Sequence, residues 1–176
     1  MSRRMILLVM GVTAAGKTTV GKLLAQRLDW LFLDGDSFHP PANVEKMRLG
    51  IPLTDDDREP WLAAIHSELV NCTAKHLDVV LACSALKQSY RDQLAAGLDV
   101  RVCYLKGAYD EMKSHLAARR GHFAGEAILA GQFADLQEPQ DAVILRVNQS
   151  PREIVQEALQ KLSLIAPDER AGDEHD

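Results

Sequence analysis

The sequence is short of cysteine, of net positive charge and of long apolar runs, and each shortage rules something out. Only Cys72, Cys83 and Cys103 occur among 176 residues. They lie far apart, form no Cys-x-x-Cys pair and are odd in number, which argues against a disulfide framework or a zinc site. Three reduced, mostly buried thiols are expected, and with them a cytoplasmic location. Acidic side chains outnumber basic ones, giving a net charge of -5. Broad nucleic-acid binding needs a basic surface, so no nucleic-acid partner is expected. A small anionic substrate stays compatible, because a site can be locally basic on an acidic protein. No apolar segment is long enough to span a bilayer, and no membrane association is expected. Ser2-Arg3-Arg4 followed by the apolar residues 5–12 has the outline of a signal peptide. The run is brief, however, and leads into a glycine loop, which reads as a buried first strand. Internal repeats are absent. Residues 166–176 are acidic and lack apolar anchors, as a disordered tail does.

What is present suits one domain over residues 1–165, with 47% hydrophobic residues to build a core. Residues 5–10 form a continuous apolar run, expected of a central parallel strand covered on both faces. Further strands are expected at 31–33, 79–82, 100–105 and 143–147. Helices are expected at 18–28, 43–49, 60–75, 88–96, 109–118 and 151–162, the third of that series being opened by Pro60 at a first helical position. Strands alternating with helices predict an α/β fold: a three-layer, five-stranded parallel sheet with helices on both faces. Ligands in such folds bind at the C-terminal strand ends.

Gly11, Val12, Thr13, Ala14, Ala15, Gly16, Lys17 and Thr18 fit G-x-x-x-x-G-K-[ST] between a strand and a helix, and Thr19 continues the loop. The glycines let successive backbone N–H groups face phosphates, and the helix adds its positive end. Lys17 is expected on the β/γ-phosphates and Thr18 on Mg²⁺. These residues predict ATP and Mg²⁺ as ligands. Ala14 stands where many such loops carry glycine; if that position needs φ > 0, alanine costs about 1 kcal/mol.

Asp34 and Asp36 follow the second strand. One can hold a water of the Mg²⁺ shell while the other orients or deprotonates an acceptor hydroxyl. The third strand ends at Cys83-Ser84, where many phosphate-loop proteins place an aspartate, so the metal shell leans on Thr18, ATP oxygens and Asp34. Arg58 suits a carboxylate, which a guanidinium grips with two parallel bonds. His39 and Lys46 are further acceptor ligands, Trp61 a candidate pocket wall, and Ser84 a candidate phosphate or water contact. Lys87 and Arg91 share a helix face, either in solvent or against substrate. Residues 119–139 read as loop-rich and suit a lid that excludes water and brings an arginine, Arg119 first and Arg120 second, over the phosphates. By analogy with related folds, adenine lies near residues 148–151.

Residues 34–62 resemble the gluconate kinase family signature. So do Cys83-Ser84-Ala85-Leu86-Lys87 with Tyr90-Arg91-Asp92, and Arg119-x-Gly121-His122-Phe123. Gln132-Phe133 and Leu136-x-Glu138-Pro139 fall where that family has its Gln-Phe and Leu-Glu-Pro stretch. The resemblance covers about residues 5–162. It implies a nucleoside-monophosphate-kinase-like P-loop kinase with a substrate-binding segment over about 36–75 and a lid over about 119–139. It implies transfer of phosphate from ATP to the 6-hydroxyl of D-gluconate, and suggests a homodimer. The chain departs from the family at Ala14 and Ala15, where Gly-Ser is usual, which bears on loop geometry more than on activity. The nearest rival is a shikimate-kinase-like enzyme, which shares the Asp-x-Asp but lacks the His39-Pro40 and Asp55-to-Trp61 series. A tRNA prenyl transferase shares only the loop, and a non-catalytic nucleotide switch would not need the acceptor-side carboxylates.

Overall fold

In the computed structural model, which describes residues 3–118 and 122–164, β1 (Met5–Met10) is the central strand of five. Its side chains alternate between two cores. Leu7 and Val9 enter one, and Ile6, Leu8 and Met10 enter the other. This is the strand-period pattern of a sheet buried on both faces. The order is β2-β3-β1-β4-β5, with every pair parallel. The other strands are β2 (Leu31–Asp34), β3 (Val79–Ala82), β4 (Asp99–Lys106) and β5 (Ala142–Arg146). The expected five-stranded α/β architecture is the observed one.

The first core packs α1 (Lys17–Leu28) and α7 (Pro151–Leu162) on one face of the sheet. α7 buries Ile154, Val155, Ala158, Leu159 and Leu162, spaced as one helical stripe. Ser150 caps it, accepting from the Glu153 amide while the Glu153 carboxylate accepts from the Ser150 amide. The second core packs α3 (Asp55–Ala74) and α4 (Gln88–Ala95) on the opposite face. α2 (Pro41–Arg48), α5 (Tyr109–Ala117) and α6 (His122–Asp135) complete seven α-helices among the described residues.

Two expectations differ. Pro60 does not open its helix: α3 starts five residues earlier, with Pro60 inside it. Thr54 accepts from the Asp57 amide at 3.1 Å, and the Asp57 carboxylate accepts from the Thr54 amide at 2.9 Å. That reciprocal cap, with Asp55, Asp56 and Asp57 at the positive helix end, offsets the one hydrogen bond a proline removes. The stretch read as loop-rich after residue 119 is also helical over most of its length, as α6. Gly125 and Gly131 look like breakers, but Leu129 is fully buried and Phe133 and Leu136 pack on the core at helical spacing. Tertiary burial outweighs the roughly 1 kcal/mol that each interior glycine costs.

All three cysteines are free and buried. Burial pushes the Cys83 and Cys103 thiols up to about 12, so neither is a nucleophile near neutral pH. Among the described residues no helix is long and apolar enough to cross a membrane.

Candidate active site

The sheet order puts the end of β1 at the point where the chain's path diverges to opposite sides, the position where such sheets bind ligands. The loop following β1 occupies it. Gly16 takes φ 93° as it delivers the chain into α1, and Ala14 takes φ 66°. Ala14 is therefore a left-handed alanine, the strained case the sequence raised. His115 of α5 donates its Nδ1–H to the Ala14 carbonyl at 3.3 Å and helps hold that turn. Lys17 Nζ donates to the Val12 carbonyl at 2.9 Å.

Thr13, Ala14, Gly16, Lys17, Thr18, Thr19 and Asp36 line one hollow of about 150 Å³. Small-molecule pockets run from about 300 Å³ upward, so this one suits a phosphate chain rather than a whole nucleotide. A larger hollow of about 540 Å³ lies between α4 and β4 beneath residues 137–141 and shares no residue with the phosphate loop. In the smaller one the loop lysine, three threonines and a carboxylate converge.

Asp36 reaches that hollow from a 3₁₀ turn, Gly35–Phe38, that follows β2. Asp34 Oδ1 accepts from the Asp36 amide at 3.0 Å, so Asp34 builds the turn that aims its neighbour. Gly35 has no room for a side chain: a Cβ there would meet the Ala82 carbonyl at 3.0 Å and Cys83 at 3.1 Å. Trp61 fastens the turn from the other side. It is buried in the second core, and its indole N–H donates to the Gly35 carbonyl at 2.7 Å. His39 stacks on it, ring centroids 4.4 Å apart.

His39 is neutral near pH 7, because burial lowers its pKa and Arg58 adds to that, against an opposing pull from Asp36. Asn43 fixes the tautomer. Its amide donates to the Asp57 carbonyl at 2.7 Å and to His39 Nδ1 at 3.3 Å, so the ring proton resides on Nε2. Lys46 forms a two-oxygen ion pair with Asp57 at 2.8 and 2.9 Å. Together with the Thr54 amide, Lys46 holds the Asp57 carboxyl down at about 2.

Arg58 stands at the centre of a polar cluster. Its NH1 donates to the Tyr90 hydroxyl at 3.0 Å, and its NH2 pairs with Asp135 of α6 at 3.6 Å. Tyr90 donates to Asp55, which also pairs with Lys87 at 2.9 Å. Lys87 and Arg58 both lie over the Tyr90 ring. Arg91 is turned inward instead. It is 4% exposed and donates to the Ala85, Leu86 and Gln137 carbonyls and to Gln88. Those bonds clamp the loop after β3, where Ala85 takes φ 44°, so its guanidinium is committed to protein carbonyls. Ser84 is half-buried at the end of β3, beside β1 and β2. Arg119 and Arg120 lie outside the described residues. Residues 148–151 lead into the α7 cap.

Sequence reasoning assigned no role to Tyr90, Asn43, Asp57 or Gln132. Gln132 Oε1 accepts from the Thr13 amide of the phosphate loop at 2.6 Å. Thr54-x-x-Asp57 is a capping signature that the sequence displays; the Gln132-Phe133 pair marks the resemblance but does not point to Thr13.

A family model described as shikimate kinase matches residues 13–163. A gluconokinase of Gluconobacter oxydans (strain 621H) is 46% identical over 144 residues, covering 81% of each chain. The thermoresistant gluconokinase of Escherichia coli (strain K12) is 44% identical, covering 76% of this chain and 77% of that one. Among solved structures, a gluconokinase from Sinorhizobium meliloti 1021 superposes with a TM-score of 0.81 at 38% identity, over 99% of this chain and 100% of that one. The shikimate kinase description fits the shared fold, and the high-identity relatives identify the branch. The chain belongs to the gluconokinase family of P-loop kinases.

Proposed function

We propose that the protein transfers the γ-phosphoryl group of ATP to the 6-hydroxyl of D-gluconate, giving 6-phosphogluconate. The observation that carries this reading is Asp36 entering the same hollow as Lys17 and Thr18. An acceptor hydroxyl beside Asp36 is then in line with phosphates held by the loop. The relatives, gluconokinases by name, support the choice of acceptor.

The residues divide the work. Loop amides and Lys17 receive the β- and γ-phosphates and stabilise the charge that spreads over the transferring group. Asp36 orients the acceptor hydroxyl and takes its proton. His39, with its proton on Nε2, offers a donor to the acceptor. Arg58 offers a guanidinium to its carboxylate, and Lys46 and Lys87 add positive charge nearby. Arg119 or Arg120 would supply the lid cation, and closure of the part of the 119–139 segment that precedes Gln132 would exclude water.

Magnesium fits the oxygen donors present. Thr18 and Asp36 face one hollow, Asp34 accepts from the Asp36 amide in the same turn, and among the described residues no group of three or more His, Cys, Asp or Glu forms a metal cage. Mg²⁺ keeps several waters and is usually held by one or two protein oxygens with substrate phosphates. Thr18 would hold it, with Asp34 on its water shell, and the ion supplies charge neutralisation of the phosphates. A cytoplasmic, homodimeric enzyme serving sugar-acid catabolism completes the reading.

An ADP-release assay across gluconate, its epimers, shikimate and nucleoside monophosphates tests it. Turnover with gluconate well above the ATP-only rate is expected. Turnover with shikimate and none with gluconate overturns the acceptor assignment.

A further inference from the structure

Helix α6 touches both halves of the site, and it does so through one short stretch. Gln132 and Asp135 are three residues apart, hence neighbours on one helix face. Gln132 accepts from the Thr13 amide at 2.6 Å on the nucleotide side. Asp135 pairs with Arg58 NH2 at 3.6 Å on the acceptor side.

This end of α6 is firmly seated. Leu136 packs against both hydrophobic cores. Phe133 meets Tyr109 edge to face, with centroids 5.4 Å apart. Just beyond the helix, the Gln137 amide donates to the Leu86 carbonyl at 2.9 Å. Gln137 Oε1 accepts from the Gln88 amide at 2.8 Å and so caps α4. Earlier in α6, Glu126 pairs with Lys113 of α5 at the surface, and Ile128 is exposed. The seated end is thus the one that contacts both Thr13 and Arg58.

We infer that the C-terminal end of α6 couples the ATP and acceptor sites: Gln132 is a positioning residue that holds the Thr13 amide of the phosphate loop, and Asp135 is a positioning residue that holds the Arg58 guanidinium. Filling either site shifts a group to which α6 is bonded, and the helix carries that shift to the other. Coupling of this kind is reciprocal, so nucleotide tightens acceptor binding by the same factor that acceptor tightens nucleotide binding. The assignment of Arg58 to the acceptor rests on the function proposed above.

Two measurements decide it, one of which needs no acceptor. Hydrogen exchange is followed by mass spectrometry on the ligand-free protein, its Gln132→Ala variant and its Asp135→Asn variant. Both variants are expected to speed exchange in residues 11–18 and also in residues 54–62, by about threefold or more, because each loosens a shared strut. Faster exchange confined to the segment that lost its own contact overturns the inference. The second measurement is gluconate titration with and without a non-hydrolysable ATP analogue and Mg²⁺. In the unaltered protein the analogue is expected to tighten gluconate binding within the roughly 5- to 150-fold range usual for coupled sites. Each variant should bring that ratio close to one, and the double variant should lower it little further. A ratio unchanged in both single variants also overturns the inference. If gluconate fails to bind in either state, the acceptor assignment falls instead, and the exchange measurement still judges the link.

Discussion

The Trp61 indole N–H donates to the Gly35 carbonyl at 2.7 Å, one residue before Asp36. This bond crosses from the core-facing side of α3 to the turn that carries the proposed base. The sequence suggested that Trp61 could be a pocket wall; it is 2% exposed and stacks on His39, so its ring is covered by the protein itself. Trp61→Phe keeps an aromatic ring and deletes the donor, leaving the Gly35 carbonyl without its partner. A loss of about 1–3 kcal/mol in urea unfolding is expected for such an orphaned buried group. A fall in kcat of roughly 10- to 100-fold is expected as Asp36 loses its aim. Lost stability with unchanged kcat would reduce the indole to packing.

Lys17 and Asp36 share the hollow, and the proposed reading gives them different work, which kinetics separates. Lys17→Ala is expected to abolish phosphoryl transfer while circular dichroism shows an intact fold. A folded variant with near-normal kcat refutes the phosphate role. Asp36→Asn is expected to lower kcat on the order of 10²-fold or more if the carboxylate takes the proton. A loss under about threefold reassigns Asp36 to binding.

On the proposed reading Arg58 binds the acceptor, and Tyr90 braces its guanidinium. Arg58→Ala is expected to raise KM for gluconate far more than KM for ATP, the signature of lost acceptor binding. Tyr90→Phe removes only the hydroxyl that Arg58 donates to. It should produce a smaller rise with the same selectivity. The opposite pattern, with ATP the more affected, sinks the carboxylate assignment.

The central strand and phosphate loop were legible because each carries a short-range signal. Met5–Met10 is apolar without interruption, and Gly11 to Thr18 places glycines where the backbone must curl. The start of α3 was misread because Pro60 is a stronger local mark than the Thr54–Asp57 cap that overrides it. α6 was missed because its glycines suggest a loop, whereas its burial depends on partners far away in sequence. Which way a side chain points was the least legible feature. Lys87 and Arg91 are one turn apart at the start of α4, yet Lys87 meets Asp55 at the surface and Arg91 is buried against Ala85 and Leu86. Gln132 belongs to a recognisable Gln-Phe pair, but only the folded chain brings it to Thr13.

Ala14 at φ 66° carries strain that a glycine would release. A left-handed L-residue costs about 1–2 kcal/mol. Glycine returns about 0.4–1 kcal/mol of that through the greater freedom of its unfolded chain. The net expectation for Ala14→Gly is a gain of about 0.5–1 kcal/mol, read from urea midpoints. A clear loss of stability shows that contacts of the Ala14 methyl outweigh the backbone strain.

Asp57 makes the start of α3 sensitive to acid. Its carboxyl sits at about 2 against an ordinary 3.8, chiefly because Lys46 donates to it and also because it accepts from the Thr54 amide. The folded state therefore holds this proton less tightly than the unfolded state. The contribution is complete above about pH 3.8 and is lost as pH falls towards about 2. Asp57→Asn removes the titrating group from that window, while Asp55, Glu45 and Glu157, also held low by their partners, continue to titrate. Urea midpoints measured near pH 5 and near pH 2.5 should thus fall less in the variant than in the unaltered protein. Equal falls would show that the Lys46–Asp57 pair contributes nothing to the acid response, and that the cap on α3 is held by Thr54 alone.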